Sequence, residues 1–253
     1  MFSQPAGRES CRYVQLMVGL RRSTMLGVPA LAVVAAATDA LSYLGLGKVF
    51  PANMTGNTVL LGIGIAEGDW GAALHSVCAL GGFVLAAVLV GCVPVPRRGA
   101  RSLRSALAVE LLLLGGLAAW WLLLGPYPSS GPRYGLIVLA GMAMGTQSAT
   151  VAWLQLPSLS TTYITGAWTS VAGWVGTVVR ATLWPQVDDD HKRVHRLQVG
   201  MLVAYALGAL GTGYSFRGFS ERAVLIPLVV LAMVVAASMV VTVHRLPRAE
   251  GGE

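Results

Sequence analysis

Six stretches of this chain are long and apolar enough to cross the hydrocarbon of a bilayer, which takes about 20 predominantly apolar residues per helix. They are 26–47, 71–93, 105–124, 134–154, 197–214 and 223–243, the fifth a little short, and no lysine or arginine falls inside any of them. Only 11% of the residues are charged and 55% are hydrophobic, with mean hydropathy +0.67. A water-soluble domain of this size carries charge on about a quarter of its residues. Polar surface is therefore too scarce to cover a soluble body, and lipid must solvate much of it. The expected fold class is all-α, a polytopic membrane helix bundle, because a helix satisfies its own backbone in lipid. The net charge of +7 sits in short clusters between the apolar runs. That is the pattern of cytoplasmic membrane loops, and nucleic acid is not an expected partner.

Two further apolar pieces resist the simple count. Residues 54–66 are too few to cross, and 164–184 hold Thr165, Gly166, Thr169, Gly173 and Gly176 and include Arg180. If neither crosses, 14 basic residues lie on one side and Lys48, Arg133, Arg217 and Arg222 on the other. If both cross, the Arg97–Arg104 cluster changes sides and the ratio falls to 11 to 7. The positive-inside bias favours six crossings, both termini cytoplasmic, and two short re-entrant or broken helices. Residues 1–24 then form a cytoplasmic N-terminal segment with an interfacial helix around 13–20, residues 25–245 a single membrane domain, and 246–253 a cytoplasmic tail. Arg21 and Arg22 ahead of the apolar run 25–37 resemble a signal peptide, but apolar character resumes at Leu41. The run reads as a retained first helix. Cys11, Cys78 and Cys92 have neither metal spacing nor disulfide geometry.

The two irregular pieces resemble each other. The first reads Phe50-Pro-Ala-Asn-Met-Thr-Gly-Asn-Thr58 and the second Ser158-Leu-Ser-Thr-Thr-Tyr-Ile-Thr-Gly-Ala-Trp-Thr169. Thr55-Gly56 aligns with Thr165-Gly166, and upstream Thr38-Asp39-Ala40 aligns with Thr146-Gln147-Ser148 with a two-residue slip. Three crossings per half, about 26–124 and 134–244, would start the second copy from the opposite side. This is a 3+3 inverted repeat, in which sites form where broken helices of the two halves meet.

The run from Thr38-Asp39-Ala40 to Phe50, then Asn53-Met-Thr-Gly-Asn-Thr58, resembles the signature of the YoaK-like family. So does Met144-Gly-Thr-Gln147 through Ser160-Thr-Thr-Tyr-Ile-Thr-Gly166. The resemblance extends roughly from Leu26 to His244. These are uncharacterised bacterial integral membrane proteins, a domain of unknown function, so it implies a multi-pass protein of the bacterial plasma (inner) membrane and carries over no activity. Ser148 departs from the asparagine expected after the glutamine of the second signature.

Asp39 is the most informative single residue. An aspartate at the bilayer centre costs about 2.5–3.5 kcal/mol and is a functional hypothesis by default. Ser42 and Tyr43 follow on the same helix face. Asp39 reads either as a proton or cation coupling site or as a carboxyl that caps the broken helix or bonds a neighbour. Gln147 takes the equivalent place in the second half, with Thr150 on its face, and an amide there bonds without titrating. Asn53, Thr55, Ser160 or Thr162 can cap a helix start, whereas uncapped N–H groups there would attract an anion. Gly56 and Gly166 permit close backbone approach, and Asn57 completes the first oxygen-rich stretch.

Other polar residues read more plainly. Glu110 is expected to pair with Arg104 or to snorkel, and His75, Trp120, Trp121, Tyr127 and Trp184 to lie at the membrane interface. Asp188-Asp-Asp-His191 through His195 reads as a solvated loop rather than a metal site. Gly141 and Gly145 fit a small-xxx-small packing face. With no P-loop, dinucleotide fingerprint or nucleophile–base pair, neither an enzyme nor a cofactor is expected.

The expectation is a small-solute permease with its site between the two short helices, beside Asp39 and Gln147. Its partners would be the lipid bilayer and a small solute or ion, with homo-oligomerisation left open. The alternative is a scaffold or regulatory partner whose polar breaks are packing devices. Six crossings require cysteine-accessibility mapping to place Arg98 on the cytoplasmic side and Glu67 outside.

Overall fold

The computed structural model describes residues 22–93, 100–125, 127–152, 164–183 and 192–243. Within them lie α1 (Arg22–Gly45), α2 (Met54–Glu67), α3 (Trp70–Gly91), α4 (Ala100–Leu124), α5 (Ser130–Ala152), α6 (Ile164–Leu183), α7 (Lys192–Phe219) and α8 (Leu225–Val243). A 3-10 turn, Arg222–Val224, leads into α8. The described residues are almost wholly helical, as a chain with so little polar side chain to spare for its backbone must be in lipid.

Six helices are long and apolar enough to cross a membrane: α1, α3, α4, α5, α7 and α8. The chain is a multi-pass membrane protein. With 14 residues, α2 is too short, and α6, with its glycines and hydroxyls, is not among the six. The fifth crossing is not short. The helix continues past Tyr214 to Phe219, because no proline interrupts 215–219 and each helical residue satisfies one more backbone pair. Leu112, Leu123, Val84, Leu89, Leu207 and Met233 are all more than half exposed. Together they form the apolar surface that contacts the bilayer.

In the spanning windows of α1 and α5, 61% of residues are buried, against 28–33% in the other four. These two are therefore the centre, ringed by the rest. Gln147, late in α5, bonds to Leu31, early in α1. The ring of His75 fills the space beside Gly47, just past α1, and faces Tyr134 near the start of α5. The central helices thus run in opposite directions. Gly82 backs onto Val138, Gly141 onto Ala79 and Gly145 onto Phe83, so α3 runs parallel to α5. Gly200 lies beside Pro29 and Gly208 against Val33 and Ala36, so α7 runs parallel to α1. The principal helix pairs are α1 with α7, α3 with α5, α1 with α8, α4 with α5, α2 with α3, α6 with α7, α4 with α8 and, more lightly, α1 with α5. Exchanging α1 with α5, α2 with α6, α3 with α7 and α4 with α8 returns the same set.

Small residues set the closest approach, as expected where lipid offers no hydrophobic drive between helices. A Cβ on Gly141 would stand 2.7 Å from the Ala79 carbonyl oxygen, and one on Gly82 2.5 Å from that of Val138. Gly145→Ala should push α3 from α5 and lower stability by about 1–3 kcal/mol. Gly116, with nothing within 4 Å, should accept alanine without loss. Thermal unfolding of the purified variants compares the two.

Candidate functional site: a polar centre between α1, α5 and α7

The centre begins with the end of α1. Past Gly45 the chain reverses through Gly47 (φ 99°) and Lys48 (φ 62°), both in the left-handed region. Lysine is uncommon there, and glycine is the usual occupant. Residues 49–53 then fold back along α1, with Val49 and Ala52 buried and Phe50 stacked on Tyr43 at 5.1 Å. The Ala52 N–H donates to Asp39 Oδ1 at 2.6 Å. Asp39 lies six residues before the helix end, about 9 Å along the axis, so the chain returns to that depth before α2 starts.

The conspicuous residues of the first signature have distinct local roles. Asn53 caps α2, its Oδ1 accepting from the Gly56 N–H at 3.1 Å. The buried Asn57 amide closes the loop on both sides of one residue: Oδ1 accepts from the Phe50 N–H at 2.9 Å, and Nδ2 donates to the Phe50 carbonyl at 2.8 Å. A Cβ on Gly56 would stand 3.1 Å from Asn53 Nδ2 and 3.3 Å from the Phe50 ring, so glycine is what the cap tolerates. Thr55 is exposed at the first turn of α2. Gly68 (φ 73°) ends α2 and Asp69 caps α3 by accepting from the Ala72 N–H, which makes α2 and α3 an antiparallel hairpin.

Asp39 is the hub. Its Oδ2 accepts from the Tyr205 hydroxyl of α7 at 2.7 Å, so one buried carboxyl joins α1, the folded-back loop and α7. Gln147 of α5 is fully buried and donates through Nε2 to the Leu31 carbonyl of α1 at 3.0 Å. Thr38 and Thr146 each donate to the carbonyl four residues earlier, Val34 and Met142. Thr38/Thr146, Asp39/Gln147 and Ser42/Thr150 are all buried, and each pair is 108 positions apart. The match between the central helices thus extends from residue type to local hydrogen bonding.

The second stretch is placed less completely. Thr165 is exposed and Gly166 half-buried at the start of α6. Ser160 and Thr162 lie outside the described residues, as do 13–20, Trp184, the acidic run from Asp188 to His191 and the side chains through His195. The short helices have separate supports, α2 on α3 and α6 on α7, where Ser170 Oγ donates to Gln198 Oε1 at 2.9 Å. Among the described residues no three His, Cys, Asp or Glu side chains gather as a metal site.

Two expectations need correction. Glu110 is not an interfacial or snorkelling residue: it is 0% exposed, and neither carboxyl oxygen has a hydrogen-bond partner. Its face of α4 turns inward, with Leu107 and Leu114 buried one turn to either side. Trp121 is not in an interfacial belt but 1% exposed, edge-on to Phe216 at 6.3 Å, because α4 and the end of α7 close over it. His75, near the start of α3, stands between the α1 turn and Tyr134. Tyr205 and Gln198 were not singled out from the sequence. Tyr205 carried a signal, a polar group at mid-span away from the ends where aromatic belts lie, whereas Gln198 stands near the start of its span.

The profile of a family described as a protein of unknown function, DUF1275, matches residues 28–237. The chain belongs to the DUF1275 family. The match includes Asp39, Glu110, Gln147 and Tyr205. The chain is also similar to the UPF0700 transmembrane protein YoaK of Bacillus subtilis (strain 168). The two are 27% identical over 213 residues, 83% of this chain and 91% of that protein. No solved structure matches. The DUF1275 family description assigns no activity, so function here has to be argued from the polar centre.

Tyr205→Phe should destabilise the protein by about 1.5–3 kcal/mol, the scale of a hydrogen bond to a charged group. In an Asp39→Asn background the same change should cost clearly less. A double-mutant cycle on thermal stability checks the coupling.

Proposed function

We propose that this DUF1275 protein is a small-solute permease of the secondary-transporter type, built as a 3+3 inverted repeat. The observation that carries the reading is the Asp39 carboxyl, which holds the folded-back loop of one half and Tyr205 of the other half. The exchange symmetry of the helix pairs, the opposed central helices and the 108-residue register of buried polar pairs support the repeat. Such carriers place their sites where interrupted helices of two halves meet near mid-membrane. The site would lie around Asp39, Tyr43 and Gln147. Asn53, Thr55, Gly56 and Asn57 would stand on one approach, and Ser160, Thr162, Thr165 and Gly166 on the other.

In this mechanism Asp39 is the switch. Protonation, or capture of a cation, removes acceptor strength from the carboxyl and weakens its hold on Ala52 N–H and Tyr205 O–H. The loop and α7 can then move relative to α1, and the site changes the side it faces. Gln147 has no proton to gain, so its half keeps its bond to α1 while the Asp39 half responds. Helix starts freed of their caps suit a small anion or polar metabolite, and Asp39 suits a cation.

The scaffold reading has its own support, since Asn53, Asn57 and Asp39 all find partners within the chain. Proteoliposome uptake over a panel of small anions, cations and polar metabolites decides. A permease gives uptake that Asp39→Asn abolishes while the variant stays folded. If no solute enters and Asp39→Asn collapses the protein in detergent, the scaffold reading stands instead.

A further inference from the structure

Glu110 is the second acid within the membrane, and its situation differs from that of Asp39. It lies on α4, wholly buried, with both oxygens unpartnered, while the two oxygens of Asp39 each accept a hydrogen bond. Residues 107 and 114, three before and four after it, belong to the apolar core. Among the described residues, the titratable and charged groups of the elements packed on α4 lie away from it: α7, with Tyr214 and Arg217, meets α4 where Phe216 touches Trp121, eleven residues along from Glu110. Helix α8 contains no titratable residue. Those of α5, Arg133 and Tyr134, lie in its first turns, level with Trp120, which covers Gly135. Trp120 is ten residues along α4 from Glu110, about 15 Å. Arg222 of the 3-10 turn is exposed. Arg104 is six residues earlier on α4 itself. A carboxylate held without donors in an apolar surround is far costlier than the neutral acid, and the group neutralises instead.

A groove of about 310 Å³ runs beside this acid between α3, α4 and α5. Ala106, Val109 and Leu113 line its α4 wall, at the positions four before, one before and three after Glu110. The hydroxyl residues Ser105 and Thr146 also line it. Thr146 adjoins Gln147, so the groove reaches from the Ser105 end of α4 to the edge of the polar centre. Glu110 itself does not line the groove, and Val109 beside it does.

We propose that Glu110 is a proton-binding site: a carboxylic acid that keeps its proton while α4 is packed on α5 and α8, and exchanges it through the adjoining groove when that packing loosens. The bond made and broken is one O–H, and the proton passes to and from water entering the groove. Proton occupancy at Glu110 is thereby tied to the separation of α4 from its neighbours. This holds whether or not the chain carries a solute, and it does not involve Asp39.

The test uses the full-length protein in detergent or lipid nanodiscs at neutral pH. An apolar carbodiimide, dicyclohexylcarbodiimide, reacts with protonated carboxyls shielded from water, and peptide mass mapping should find Glu110 modified. Infrared spectra should contain a protonated-carboxyl band that Glu110→Gln removes. An unmodified Glu110 together with loss of a carboxylate band in Glu110→Gln would overturn the assignment. Stabilisation by Na⁺ or K⁺ that depends on Glu110 would also overturn it, making the site one for a metal cation. Should Glu110→Gln fail to fold, modification of the wild-type residue decides alone.

Discussion

A backbone N–H cannot be left bare inside a bilayer, and the structure is organised around the one described place where the chain risks this. Between α1 and α2 the backbone turns back to the depth of Asp39 without helical hydrogen bonds of its own. Side chains complete the accounting. Asp39 accepts from Ala52, Asn57 takes both the N–H and the carbonyl of Phe50, and Asn53 caps the new helix. Irregular backbone at membrane depth persists only where protein or a watery cavity satisfies it. Here the protein supplies that satisfaction from a stretch of eight residues and one acid.

That acid also binds Tyr205, so the local repair doubles as a link between distant parts of the chain. The link joins α1, one of the two most buried helices, to α7 packed along it. A bond to a carboxyl differs from an apolar contact in one respect that matters for function: its strength depends on whether the carboxyl carries charge. A bond of this kind joins α7 to α1, while α3 and α5 meet through the close contacts of Gly82, Gly141 and Gly145. Asp39 of α1 and Gln147 of α5, both buried, differ in chemistry, since only the carboxyl can change its charge. Glu110 adds a carboxyl of another kind, with no donors at all. In a family with no assigned activity, two buried acids with opposite hydrogen-bonding circumstances are the features from which function can be argued.

Much of the fold was legible beforehand, because crossing a bilayer imposes a length and a composition that are local properties of a segment. The helices around Asp39 and Gln147 and the shortness of α2 could be read from residue order alone. So could the cap at Asn53 and the tight approach at Gly56, since both act over a few residues. Glu110 and Trp121 were misplaced for one shared reason. A helix in lipid is apolar all round, so its hydrophobic pattern does not tell which face turns inward. Burial of those two side chains depends on where α5, α7 and α8 lie.

The sequence by itself determined that the chain lives in a membrane, how many of the described helices can cross it, and that α2 and α6 are not among them. Tertiary structure alone decided that Asp39 meets Ala52 and Tyr205, that Glu110 meets no donor, and that α1 and α5 stand at the centre. The division follows from range. Solvation by lipid and capping act within a helix or a turn, whereas the partner of a buried polar group can lie 166 positions away, as Tyr205 does from Asp39.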